Sequence, residues 1–172
     1  MKALTVWQPW ASLIIEGAKP YEFRRWRCYD SMIGQRIVIH AAARKIDSRE
    51  VHRILVALDR GGFEAAETCL HARAAVPILQ RALERFTGGE LPLTGHGDLP
   101  WSAGIGTAVI GEPRLGTEIA EEFGVPRAND SDRDEHSNWG WPMLDIERWD
   151  APIPTKGAQG FWNWPGPESV GL

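Results

Sequence analysis

Residues 3–27, ALTVWQPWASLIIEGAKPYEFRRWR, constrain the fold most, because they punctuate a strand, a helix and a second strand within one short stretch. Ala3–Val6 is β-prone. Pro9 suits a first helical turn, where its missing N–H has no intrahelical partner to lose. Trp10, Leu13 and Ile14 then recur at i, i+3 and i+4, which gives a helix near Pro9–Glu16 with one buried face. Gly17 supplies a left-handed stop. Tyr21–Arg27 reads as a strand. Its alternation puts Glu22, Arg24 and Trp26 on one face and Tyr21, Phe23 and Arg25 on the other.

The rest of the chain follows the same punctuation. Arg36–Ala41 carries a continuous Ile-Val-Ile run and predicts a buried strand. Asp47, with Glu50 three residues later, predicts a capped helix start. Val51, Ile54, Leu55 and Leu58 continue that helix to a stop at Gly61-Gly62. A second helical run covers roughly Phe63–Phe86 and bends at Pro77. Gly104–Ile110 reads as a strand, Gly116–Phe123 as a helical turn, and Gly124–Asn138 as a polar, mobile loop. Trp139–Ile146 is extended, with Pro142 marking an edge or irregularity, and Gly160–Trp164 is a final strand. No glycine-rich strand-to-helix turn is present. The expectation is therefore a mixed α/β (α+β) chain: a small, partly closed barrel of five or six strands with helices outside it. Residues 1–172 form one domain in this reading, with a helical insert at about 47–98.

Charge and motifs exclude several classes. A net charge of −4 argues against a non-specific DNA binder. The charge is uneven, however: residues 1–60 hold 11 Lys/Arg against 6 Asp/Glu, and residues 61–172 hold 8 against 17. Cys28 and Cys69 make no disulfide framework, and no window nears the ~18 apolar residues of a membrane span. No signal-peptide apolar region is recognisable. A cytoplasmic protein with no membrane partner is expected. The five histidines lack zinc spacing. Asp130, Asp132, Asp134 and Glu135 resemble a calcium loop without its glycine or terminal glutamate, and read as a solvated run. There is no phosphate loop or nucleophile elbow. Neither a metal nor a cofactor is predicted.

Chemistry concentrates at Lys19, Glu22 and Arg24. Two cations and one carboxylate can meet the mixed edge of a base, and the cations can hold phosphate. Trp7, Trp10 or Trp26 can stack a base. The same three charges can equally form exposed ion pairs worth about 0–1 kcal/mol.

The pattern QPWA, then Gly17–Lys19 (GxK), Glu22–Arg24 (ExR), residues 34–42 (GxRIVIHAA) and residues 152–162 (PIPxKGxQGFW), resembles the ASCH domain family. That family, named for activating-signal-cointegrator homology, belongs to the PUA-like superfamily of small β-barrels associated with RNA and modified nucleobases. The resemblance implies a cleft beside the first helix, lined by Lys19, Glu22 and Arg24 with Trp10 close by. It also implies that Lys156 and Gln159 approach that cleft from the C-terminal motif. The implied ligand is single-stranded RNA or a nucleotide, such as a modified base or a strand end. Two alternatives accompany this reading. One is a ribonuclease or nucleoside amidohydrolase with Lys19 and Glu22 as acid–base groups, and the other is a protein-interaction adaptor. Relatives that deacetylate acetylcytidine carry a threonine nucleophile three residues after the lysine. Here that position is Glu22, which cannot form and release an acyl group as a hydroxyl does, so that reaction is not expected. The sequence leaves the oligomeric state open.

Overall fold

The computed structural model describes residues 1–60, 68–84, 94–130 and 134–165. Among these, the strands are β1 (Lys2–Val6), β2 (Tyr21–Arg24), β3 (Arg36–Ala41), β4 (Ile46–Asp47), β5 (Thr94–Gly95), β6 (Ala103–Ile110), β7 (Arg114–Leu115), β8 (Trp139–Pro154) and β9 (Phe161–Asn163). The helices are α1 (Trp10–Ile15), α2 (Ser48–Arg60), α3 (Ala72–Glu84) and α4 (Gly116–Phe123). The main sheet runs β2-β8-β6-β3-β1-β9, with β7 pairing β8 off that path. The six-stranded path matches the expected barrel. β1 and β3 are parallel, and the other pairings are antiparallel.

The sheet curls into a half-barrel for local reasons. Register shifts fall between Ile39 and His40 on β3, and twice along the β6–β8 ladder. Each inserts unpaired backbone that bends its strand. β6 also carries Gly104 and Gly106. A Cβ on Gly104 would strike the Trp164 ring, and one on Gly106 would lie 2.5 Å from the Glu147 carbonyl oxygen. Curling brings β9, one edge of the sheet, against β8 near the other. There Phe161 stacks on Trp141 with centroids 5.5 Å apart and planes at 13°.

α1 is buried along its whole length and plugs the half-barrel. Gly17 takes the left-handed conformation (φ 71°), and the amides of Ala18 and Lys19 both return to the Leu13 carbonyl. Pro9 stands at the N-cap, one residue earlier than the expected first turn. The Asp47 carboxylate accepts from the Arg49 amide at 2.9 Å and caps α2. α2 packs on α3, and α3 buries Ala75, Ile78, Leu79 and Ala82. α3 contains Pro77 within a helix that runs on past it. The predicted stop at Gly61-Gly62 and the outer parts of the second helical run lie outside the described residues.

Three boundaries differ from expectation. β2 ends at Arg24 rather than Arg27, because the chain bends at Arg25 and Trp26. Gly116–Phe123 forms a full α-helix, closed by Gly124 at φ 66° with Val125 N–H bonded to the Ala120 carbonyl. β8 continues to Pro154 instead of stopping at Ile146. No helix among the described residues is long and apolar enough to cross a membrane.

Candidate nucleic-acid interface

Lys19 leaves the α1 turn fully buried. An ammonium can be buried only if its donors are met. Its three N–H groups face three oxygens: the Tyr21 carbonyl at 2.5 Å, Glu22 Oε2 at 3.1 Å and Asp130 Oδ2 at 2.7 Å. The rings of Phe23 and Trp10 lie 5.2 Å and 5.8 Å from Nζ. β2 supplies Tyr21, Glu22 and Phe23, and the Met143 amide of β8 bonds to the Pro20 carbonyl and pins the turn. Asp130 comes from the segment after α4. That segment was expected to be solvated, yet only 11% of the Asp130 side chain is exposed. Asp132 lies outside the described residues. α4 is itself braced on β2: Arg114 donates to the Tyr21 hydroxyl at 2.7 Å and pairs with Glu122.

The electrostatics follow from this packing. Burial alone would lower the Lys19 pKa, but Asp130 and then Glu22 outweigh it and raise it. Burial alone would raise Glu22, but Lys19 and Arg24 together hold it low. Asp130 is raised, first by burial and then, against the pull of Lys19, by the nearby Glu22 carboxylate. Carboxylates pushed apart in this way are a recurrent acid–base arrangement. In this case both carboxylates are buried, and the lysine has no donor to spare.

Arg24 is different. Its Nη2 pairs with Glu22 Oε1 at 2.9 Å, and 27% of its side chain is exposed. The guanidinium sits 5.8 Å over the ring of Trp141. Its Nε is buried without an acceptor among the described residues. Beside it stands Trp26, 49% exposed, whose carbonyl accepts from Trp141 Nε1 at 3.2 Å.

The predicted site residues therefore separate. Lys19, Glu22 and Arg24 form one chain of ion pairs. Trp10 lies beside them but is only 9% exposed, because it opens a wholly buried helix, and it offers no face for stacking. Lys156 does not join the cluster. It lines an open depression of about 1010 Å³ with Trp101, Ser102 and Thr155. That depression adjoins the start of β6, whereas Lys19 adjoins its end, where Ile110 pairs with Met143. Gln159 is exposed in the turn before β9. Sequence reasoning missed Asp130 and Trp141. Asp130 read as one acid in an acidic run, and nothing local marked it as a partner for a residue more than a hundred positions earlier.

A curled mixed sheet plugged by a short helix, with Lys19 in the turn and Glu22 and Arg24 on the strand after it, is a mixed α/β half-barrel, and the family match that follows makes it a PUA-like fold. The model for the ASCH domain matches residues 4–93, more than half of the chain, and the chain belongs to that family. The match includes Lys19, Glu22 and Arg24, whereas Asp130 and Trp141 lie beyond it. No curated protein matches the chain.

Proposed function

We propose that this chain is an RNA- or nucleotide-binding domain that takes its ligand at Arg24 and Trp26. The observation that carries this reading is the contrast between two cations. Lys19 is saturated by three oxygens, while Arg24, held by Glu22 Oε1, keeps part of its guanidinium side chain exposed next to a half-exposed indole. A fixed guanidinium suits a phosphate or a base carbonyl. An exposed indole suits the face of a base, worth about 1–3 kcal/mol. The reading assigns no bond-breaking step to the site, since Lys19 and Glu22 are locked in the ion cluster.

Fluorescence anisotropy with a labelled oligouridylate over a salt series tests it. Arg24→Ala is expected to weaken binding and to reduce the salt slope by roughly 0.7 if the lost contact is to phosphate. Trp26→Ala is expected to weaken binding with the slope unchanged. If Arg24→Ala, folded by its melting curve, binds like the wild type, the reading fails.

A further inference from the structure

We propose that the opposite end of the sheet, where β1 and β3 end and β6 begins, is a second contact surface for single-stranded nucleic acid. Trp7 and Trp101 act there as stacking platforms, and Arg44, Lys45 and Lys156 act as phosphate contacts. The ligand class rests on the reading above, but none of the Arg24 site residues takes part.

The first observation is exposure. Trp7 and Trp101 are 56% and 53% exposed. Each ring is already backed by a partner. The Arg44 guanidinium lies 4.0 Å over Trp7, and the His96 ring is stacked on Trp101 at 4.4 Å and 11°. Backing of this kind fixes an indole while leaving surface open to a base.

The second observation is that the fold places both indoles on one rim. The Ala42 amide bonds to the Val6 carbonyl, and the Ser102 amide bonds to the Ala42 carbonyl. The ends of β1, β3 and β6 are therefore neighbours, and the backbones at Trp7 and Trp101 stand roughly 10 Å apart, two strand spacings. Gln8, buried next to Trp7, donates to the Pro100 carbonyl next to Trp101 at 2.7 Å. That one side chain ties the two tryptophan-bearing segments together. Asp98 and Ser102, on either side of Trp101, adopt positive φ angles of 61° and 48°. Non-glycine residues hold such angles only where surrounding bonds enforce them. For Ser102 the enforcing bonds go to Ala42 and Thr155.

The third observation is charge. Arg44, Lys45 and Lys156 are exposed, and no carboxylate pairs with any of them among the described residues. Lys45 acts on His96, and Lys156 and Trp101 share the open depression. Asp98 on its rim is the opposing charge. Three unpaired cations interleaved with two indoles match a polyanion carrying flat bases. A proline-rich peptide would use the indoles but leave the cations without a role.

The test uses the whole chain and a labelled oligouridylate, with wild type, Trp7→Leu, Trp101→Leu, the triple change Arg44→Glu, Lys45→Glu and Lys156→Glu, and Arg24→Ala in parallel. The charge variant alters only exposed side chains, so it remains informative if a tryptophan variant melts early. The tryptophan variants are expected to weaken binding roughly 5- to 100-fold each. The charge variant is expected to flatten the salt dependence by more than one logarithmic unit, at roughly 0.7 per lost contact. If Arg24→Ala weakens binding while these variants bind as wild type, this inference is overturned and the Arg24 reading survives. If these variants weaken binding and Arg24→Ala does not, the inference survives alone. If wild type does not bind the RNA at low salt, or if these residues bind an acidic proline-rich peptide instead, the inference is refuted.

Discussion

Lys19→Met is the most exacting perturbation of this molecule. It removes the cation that ion-pairs with both Glu22 and Asp130 and keeps most of the side-chain volume. The two carboxylate oxygens can be no farther apart than the combined ion-pair lengths, 5.8 Å. Two charges at that separation repel by about 3 kcal/mol at an effective dielectric near 20. Arg24 continues to offset part of the charge on Glu22. Loss of one partner from a buried pair costs about 3–5 kcal/mol as a rule. In a chain of this size that cost lowers the melting temperature by roughly 6–20 °C.

The loss also has a pH signature. Without Lys19, the folded protein favours a proton on one of the two carboxylates. Their folded pKa rises above the unfolded value, so the variant regains stability as pH falls and loses it as pH rises through the raised pKa. Urea and thermal melts of wild type and Lys19→Met from mildly acidic to neutral pH measure both effects. Adding Asp130→Asn should restore part of the loss, because it removes the repelling charge. A Lys19→Met protein within about 1 kcal/mol of wild type at neutral pH would refute the claim that this cluster holds the fold. So would a deficit that does not shrink with acid.

Four further outcomes are expected. In wild type, burial opposes but the two carboxylates outweigh it and hold Lys19 above its ordinary 10.5. Its stabilisation is complete below that value and is lost as pH climbs through the raised one, so alkaline melts should show a drop that Lys19→Met lacks. Gly116→Ala should cost about 1–3 kcal/mol in denaturant melts, because its Cβ would run into the Ser137 carbonyl oxygen. Gly17→Ala has open space around it and should cost only the left-handed backbone strain, about 1–2 kcal/mol. Gln8→Ala should destabilise by about 1–3 kcal/mol, since it strands the Pro100 carbonyl and the Ser12 hydroxyl.

What the sequence disclosed was local. Pro9 and Gly17 bracket α1, the Ile37–Ile39 run is wholly buried in β3, and Asp47 caps α2. Lys19, Glu22 and Arg24 were legible as a group because they lie within one turn and one strand. What was hidden depended on distant pairing. Asp130 gives no local pattern that distinguishes a buried counter-ion from a solvated acid. β8 reads from the sequence only as far as Ile146, with Pro142 as an irregularity in it. The strand runs on through two register shifts against β6 and through Asp145, which takes φ 45°. Trp10 and Trp101 illustrate the limit of composition. Both are tryptophans near helix or strand starts, yet one is core and the other half-exposed, and only the packing of the neighbouring elements decides between them.

The same logic resolves the charge asymmetry. The excess of cations in residues 1–60 suggests a basic face on an acidic chain, but most of it is cancelled in place. Arg27 pairs with Asp30 and Glu112, Arg36 with Asp145 and Glu147, and Arg49 with Asp47. The partners of Arg27 and Arg36 come largely from the acidic remainder of the chain. Pairs at the surface contribute little to stability and present little net field. Attraction for a polyanion then comes chiefly from cations that keep exposed donors or that no carboxylate answers among the described residues, and screening confines their reach to about 8 Å at physiological salt. Arg44 and Lys45 meet that condition at one end of the sheet, joined there by Lys156 from the C-terminal motif. The two motifs thus meet in space twice: Lys156 reaches the depression that Trp101 lines, while Phe161 stacks on Trp141 under the Arg24 guanidinium. Under the proposed readings, the C-terminal motif then contributes to both candidate surfaces, Lys156 at one and Phe161 behind the other.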